Sequence, residues 1–356
     1  MSIIKVPRIK VGDTIAIVSP SWGGPSIYLG VYENGIKYIQ SLGFKTKEYP
    51  SARADAKFLH DNPEFRAKDL NKAFADPEVK AIIATIGGDD CVRLLPYLDK
   101  EIVIKNPKIL MGYSDTTILT TFYNLNGIVT FNGPCVMAGF SQAENLGDEY
   151  QLYLKKFLLG NIDFENYIYP KFSFYTEGYS DWSIKENIGK TKEIKKTDGY
   201  HWIQGKGSVE GQLFGGCIEV LEFMKGTSFW FPNDFWQKKI LFLETSEDKP
   251  GINQVKYMLR NYGIQGVFNQ ISALIFGRAR DYSFEEKQLL DETIIDIIKN
   301  EFGNSDLTIV TNMDFGHTDP QIILPLGIMA KLDNNKKEFC LLESPFQKNI
   351  NLVNKY

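Results

Sequence analysis

The sequence predicts an α/β fold: an N-terminal domain built on a doubly wound, mostly parallel sheet, then a C-terminal α/β domain, with the active site in the cleft between them. Three observations lead there. At 356 residues the chain exceeds what one hydrophobic core usually serves, so two domains are expected. Short apolar runs alternate with helix-period stretches, the pattern of β-α-β units. Hydrophobic content of 43% and charged content of 24% are ordinary for a folded globular protein.

The elements follow in order. Thr14 to Ser19 reads as a buried strand, and Ile27 to Leu42 as a helix with Leu29, Tyr32, Ile36, Ile39 and Leu42 on one face. Asn62 and Pro63 supply a cap and a first-turn proline for a helix reaching Phe74. Ala81 to Ile86 is a strand running into Gly87-Gly88, and a strand at Ile109 precedes a helix from Thr116 to Asn126. A second domain is expected to begin near Gly205 to Gly211, with strands at Lys239–Glu244, Ile271–Phe276 and Leu307–Thr311 and helices at Ile252–Tyr262 and Phe284–Glu301. The polar tail from Asn351 to Tyr356 is expected to fray.

Gly112-Tyr113-Ser114-Asp115 lies between the apolar run ending at Met111 and the following helix, so Ser114 occupies a sharp strand-to-helix turn. Such an elbow holds a hydroxyl clear of the sheet while the next backbone N–H, that of Asp115, points at the oxygen of an attacked carbonyl. An ordinary serine cap on a helix is the competing reading. A serine hydroxyl needs a base, and the chain offers only His60, His201 and His317. His317 follows the Leu307–Thr311 run in the loop Asn312 to Pro320, at the end of a strand with Gly316 beside it, and is the candidate base. His60 lies in a polar loop; His201, between Tyr200 and Trp202, suits a structural or substrate-contacting role. Glu244 closes a buried strand and is the candidate partner of the imidazole, whereas Glu247 and Asp248 read as a solvated acidic loop.

Composition excludes several classes. A net charge of −4 gives no general reason to expect nucleic-acid polymer binding. The basic stretch Lys190 to Lys196 reads as solvated loop, or as a face toward an anionic ligand. Cys91, Cys135, Cys217 and Cys340 lack metal-ligand or disulfide-framework spacing, and no H-E-x-x-H pattern occurs, so neither metal nor cofactor is expected. No segment approaches the roughly 20 apolar residues of a membrane span, and the N-terminus has no secretory pattern, so a cytoplasmic location is expected.

These motifs, together with Ile15 to Ser21, Gly87-Gly88-Asp89-Asp90, Gly211 to Cys217 and Phe315-Gly316-His317-Thr318, resemble the LD-carboxypeptidase and microcin C immunity (MccF) family of serine peptidases, along nearly the whole chain. The resemblance implies Ser114 as nucleophile, His317 as general base then acid, Glu244 as its partner, and backbone N–H groups of Gly88 and Asp115 as oxyanion donors. It implies no cofactor and a homodimer. Gly87 to Asp90 and the long insertion between about Tyr175 and Lys206 resemble the immunity branch, which implies substrate contacts at Gly87 and Asp89 and a nucleotide base stacked on Trp182. A loop tryptophan covering the core edge is the plainer reading of Trp182. The expected division is 1–165 for the nucleophile domain, 166–206 for a linker and substrate loop, and 207–356 for the domain carrying Glu244 and His317. The expected substrate is a peptidyl- or aminoacyl-nucleotide, with a muropeptide trimmed of a terminal D-amino acid as the alternative. A non-catalytic small-ligand binding protein is the alternative of another class.

Overall fold

The structure, a computed structural model, describes residues 3–160 and 162–348, so the tail expected to fray lies outside the described residues. Its first sheet has six strands in the order Leu324–Leu326, Thr130–Asn132, Ile109–Gly112, Val79–Ala84, Thr14–Val18, Lys45–Glu48. All neighbours run parallel except Leu324–Leu326, which is antiparallel to Thr130–Asn132. The central strands are apolar along almost their whole length because helices cover the sheet, and strands buried on both faces need no polar alternation. The helix Leu29–Ser41 buries Val31, Tyr32, Gly35, Ile36, Tyr38 and Ile39; of the stripe expected of it, Tyr32, Ile36, Ile39 and Leu42 are buried, whereas Leu29, at its first turn, is exposed. Pro63 starts the helix Pro63–Ala75 at a position where its missing N–H costs nothing. Asn62 does not cap that helix; its side chain donates instead to Phe58 O at 2.8 Å, closing the preceding turn.

The second sheet has eight strands in the order Tyr167–Ile168, Glu338–Leu341, Met329–Asp333, Ser208–Cys217, Lys239–Glu244, Ala273–Gly277, Thr308–Met313, His201–Gln204. Four central strands, from Ser208–Cys217 to Thr308–Met313, are parallel, and antiparallel neighbours close both sides. The helix expected to run from Phe284 to Glu301 is α-helical to Ile295 and then widens into a π-turn over Asp296–Glu301.

Two differences from the sequence reading affect the site. The segment expected to be linker and loop supplies sheet edges: Tyr167–Ile168 and His201–Gln204 both join the second sheet, and Phe174–Thr176 pairs with Ile194–Lys196 in a separate ribbon. Further on, Leu324–Leu326 crosses to the first sheet. The next residues turn straight back, Gly327 N donating to Leu213 O at 2.7 Å and Leu213 N to Ile328 O at 2.9 Å. The sheets are thus stitched together at Leu213, which pairs with Ile240 near the start of the strand that ends in Glu244.

Candidate active site

Ser114 stands where the strand Ile109–Gly112 gives way to a 3₁₀ turn over Ser114–Thr116 and then to the helix Thr117–Leu125. Its φ of 57° is left-handed, a conformation that costs a non-glycine residue about 1–3 kcal/mol. An ordinary helix cap sits in extended backbone, and Ser114 makes no capping bond; its neighbour Tyr113 holds the cap position.

The Gly87-Gly88 turn lies against this elbow. A Cβ on Gly87 would fall 2.8 Å from both Cβ and Oγ of Ser114, and one on Gly88, at φ 150°, would fall 2.2 Å from Ser21 Oγ. Only glycines allow that approach. The Asp115 carboxylate fastens the turn in place: Oδ2 accepts from Ser21 Oγ at 2.6 Å, Asp90 N at 2.9 Å and Cys91 N at 2.8 Å. Burial pushes the Asp115 carboxyl up, and the donors from Ser21 and Cys91 draw it back toward the charged form. Asp90 is tied down in turn by two bonds from buried Arg66, at 2.6 and 2.9 Å. Three strand ends of the first sheet therefore meet at Ser114, and among the described residues neither Gly88 N–H nor Asp115 N–H is taken up by a turn hydrogen bond.

From the second sheet come Glu244 and His317. Glu244 ends its strand fully buried, and its Oε2 lies 2.7 Å from His317 Nδ1. The loop carrying His317 descends onto Glu244 because of two more glycines. A Cβ on Gly316, at φ 93°, would fall 2.7 Å from Glu244 Oε2, and one on Gly277 would fall 2.9 Å from Glu244 Cβ. That loop is held from behind by Asp314, which takes Arg278 Nη2 at 2.7 Å and the Tyr200 hydroxyl at 2.9 Å. The Tyr113 ring meets the imidazole edge-on with centroids 4.9 Å apart, joining the elbow to His317.

Glu247 departs from its expected place in a solvated acidic loop. The chain after Glu244 curls back over the imidazole and brings Glu247 Oε2 to 2.9 Å from His317 Nε2. The contact is short but poorly aligned, so Nε2 has no well-formed hydrogen bond and the pair is ionic. Burial alone would push the imidazole down, but Glu244 and Glu247 outweigh it and lift it to about 10. Burial also acts on Glu247, yet His317 and Arg280 draw its carboxyl down to about 2. Among the described residues, no hydrogen bond joins Ser114 to His317.

Ser114 and Glu247 line one cavity of about 70 Å³ with Trp22, Ile86, Gly87, Gly88, Tyr113, Tyr179 and Trp182. Trp182 is thus at the site, stacked on Tyr179 at 4.0 Å and edge-on to Tyr28 at 5.6 Å. Backbone bonds between Thr176 and Asp319, at 2.8 and 3.0 Å, tie this aromatic segment to the loop of His317. Asp89 is exposed next to the cavity but does not line it. His201 sits between Asp291 at 2.7 Å and Asp198 at 3.0 Å, and His60 lies 3.4 Å from Asp90. Of the basic stretch, Lys195 pairs with Glu177 and Lys192 with Asp281. Sequence reasoning missed Glu247, Arg278, Arg280 and Asp314; Arg278 and Asp314 directly follow strands that end at Gly277 and Met313, the one signal that could have found them.

A two-domain α/β fold with a serine at a strand-to-helix elbow of one sheet and a buried histidine–carboxylate pair beyond the strands of the other carries the residue types of a serine-type hydrolase. Residues 15–133 match the family model for the LD-carboxypeptidase N-terminal domain and residues 210–332 that for the C-terminal domain. The chain belongs to this family of carboxypeptidase-type hydrolases. It is 29% identical over 339 residues to the microcin C7 self-immunity protein MccF of Escherichia coli, covering 94% of each chain. It is 30% identical over 337 residues to the putative carboxypeptidase YocD of Bacillus subtilis, covering 92% of this chain and 95% of YocD. Among solved structures, an MccF-like protein from Streptococcus pneumoniae in complex with AMP has a TM-score of 0.83 at 29% identity, covering 93% of this chain and 98% of the other. MccF in complex with aspartyl sulfamoyl adenosine also gives a TM-score of 0.83, at 26% identity over 97% of this chain and 100% of the other.

Proposed function

We propose that the chain is an MccF-like serine amide hydrolase that cleaves the bond between an aminoacyl or peptidyl group and an adenylate moiety. The observation that carries this reading is the Tyr179–Trp182 stack on the wall of the cavity holding Ser114. A flat indole beside the nucleophile suits a nucleobase on the leaving group, a stack worth about 1–3 kcal/mol. The likeness to structures holding AMP and aspartyl sulfamoyl adenosine supports the same substrate class.

In this reading Ser114 Oγ attacks the acyl carbon and His317 Nε2 takes its proton, while Glu244 holds the ring by Nδ1 and stabilises the imidazolium. The N–H groups of Gly88 and Asp115 receive the developing oxyanion. His317 then protonates the departing nitrogen, and water, giving up its proton to the freed His317 Nε2, releases the acid from Ser114. A cavity of 70 Å³ holds about two waters, so a nucleotide conjugate is admitted only when Glu247 or the Tyr179–Trp182 segment shifts. The second reading, release of a terminal D-amino acid from a muropeptide, is supported by the family's LD-carboxypeptidase domains and uses the same serine chemistry.

The test is to incubate wild-type and Ser114→Ala protein with an aspartyl sulfamoyl-adenosine analogue and with an L,D-tetrapeptide muropeptide, following products by mass spectrometry. Wild-type cleavage of the nucleotide conjugate alone is expected, abolished by Ser114→Ala with the fold intact. Trp182→Ala should raise KM for that substrate by about 5- to 100-fold. Release of D-alanine alone moves the assignment to the muropeptide. Binding by both proteins with turnover by neither identifies a silent binding protein.

A further inference from the structure

The imidazole of His317 has two nitrogens, and both face carboxylates. Nδ1 is held by Glu244 at 2.7 Å, which is what a base needs; Nε2, the nitrogen required to take the Ser114 proton, is covered by Glu247 at 2.9 Å. An imidazole between two carboxylates is favoured as imidazolium, and an imidazolium accepts no proton. We infer that Glu247 is a positioning residue that holds the base out of action by capping His317 Nε2, and that it frees Nε2 by swinging toward Arg280. This rests on the reading of Ser114 and His317 as nucleophile and base.

The two glutamates differ in the property that matters. The Glu244 side chain is 0% exposed and boxed in by Gly277 and Gly316, so it cannot leave. Glu247 lies three residues further on in an exposed loop with its side chain 46% exposed, so it can move without stranding a charge in the interior. Its contact with Nε2 is unaligned, and a second cation is at hand. Arg280 Nη1 lies 3.9 Å from the same oxygen, Glu247 Oε2. A short swing that closes the arginine pair therefore opens the histidine pair. Arg280 is itself anchored, with its side chain 9% exposed, Nε 3.3 Å from Asp281, and its guanidinium over the Tyr179 ring at 5.1 Å.

Other groups face this pair from every neighbouring element. Glu219 acts on Glu244 from the helix Ile218–Glu222 that follows Ser208–Cys217, and Cys217 lies beside the same carboxylate with its thiol pushed up by burial. Tyr113 and Tyr179 are held neutral by burial. Asp319, pushed up to about 6 by burial, faces Arg280 and His317 from the loop beyond the base. None of them covers Nε2. With Glu247 in place the imidazole stays charged through neutral pH and loses its proton only as pH rises toward about 10. Removing the Glu247 charge takes away one of the two groups that raise it, so deprotonation moves down in pH.

The experiment is a ¹⁵N NMR titration of the histidine side chains in wild type and Glu247→Gln, which needs neither substrate nor an intact nucleophile. Three histidines make assignment by single replacement direct. His201, raised by Asp291 and Asp198 away from the cleft, is the internal control. The expected result is that the His317 midpoint falls by about one pH unit or more while His201 stays put. The acid limb of kcat/KM should move in the same direction, with severalfold higher activity at neutral pH. In Arg280→Met, which lacks the alternative seat, the acid limb should move up. An unchanged His317 midpoint in Glu247→Gln overturns the inference, whatever the turnover. Turnover that survives Ser114→Ala overturns the catalytic reading instead and leaves the titration result standing.

Discussion

The approach of His317 to Glu244 depends on a missing side chain. Gly316 adopts φ 93° and leaves room that a Cβ would fill, 2.7 to 2.9 Å from Oε2, Cβ and Cγ of Glu244. Gly316→Ala combines a disfavoured backbone with overpacking against a buried carboxylate that has nowhere to go. A loss of about 2 kcal/mol or more is expected in urea denaturation. Activity should fall further, on the order of 100-fold, because a misplacement near an ångström suffices to uncouple a base. Gly12→Ala is the control: Gly12 has nearly the same φ, 89°, but nothing within 4 Å of its Cβ, so it should lose stability alone and by less. An activity loss equal to that of the control would refute the steric account. At this scale the candidate residues were found from polar residues at or shortly past the end of a buried strand: Glu244 ends its strand, Ser114 lies two residues past Gly112 and His317 four past Met313. Glu247 was not, because its place is decided by how a loop folds back onto a histidine 70 residues away in the chain, and its local composition is that of a solvated turn.

Among elements, the loop between Thr308–Met313 and His317 is positioned by a strut rather than by its own propensity. Arg278 extends from the end of Ala273–Gly277 to Asp314, and both side chains are 1% exposed. The guanidinium also reaches Asn312 at 3.1 Å and lies 4.6 Å above the Tyr175 ring, so one residue gathers strand end, loop and insertion. Arg278→Met leaves the Asp314 carboxylate buried without its cation, a change that costs about 3–5 kcal/mol. The sign with pH follows from burial, which already pushes the Asp314 carboxyl up while Arg278 pulls it down. Without Arg278 the carboxyl rises further and protonates in mild acid, relieving the unpaired charge. The stability gap between variant and wild type should therefore shrink from pH 7 to pH 5; a gap that is equal or larger at pH 5 contradicts the strut. The parallel strands and covering helices were legible because runs such as Lys239–Glu244 are apolar throughout. The edge pairing of His201–Gln204 with Thr308–Met313 was not, since the edge strand is short, half-buried along its length, and paired across about a hundred residues.

For the whole molecule the question is whether the two sheets move as separate bodies, since Ser114 belongs to one and His317 to the other. Sequence spacing suggested two successive domains, but the chain order is not the packing order. Leu324–Leu326 completes the edge of the first sheet and the next two residues bond to Leu213 in the second. Cys217 N donates to Thr117 Oγ1 at 3.1 Å, where Gly216 lets the strand end touch the helix behind Ser114. Past the second sheet, Gln347 N returns to Val6 O at 2.9 Å, and Phe346 stacks on Phe131 of the first sheet with centroids 5.8 Å apart. Unfolding the second sheet would strip the first of an edge strand and of buried aromatic cover, so neither can melt without exposing the other. Calorimetry should show one cooperative transition, with the calorimetric enthalpy equal to the van't Hoff enthalpy. The fragment 1–165, lacking Leu324–Leu326 and Phe346, should fail to give a native-like melting curve of its own. Two resolved transitions, or a fragment that folds alone, would mean that the cleft opens by domain motion. One transition means that the two sheets are stable only together, the condition under which local shifts of Glu247 and the Tyr179–Trp182 segment, around a fixed Ser114 and His317, are the proposed route of entry.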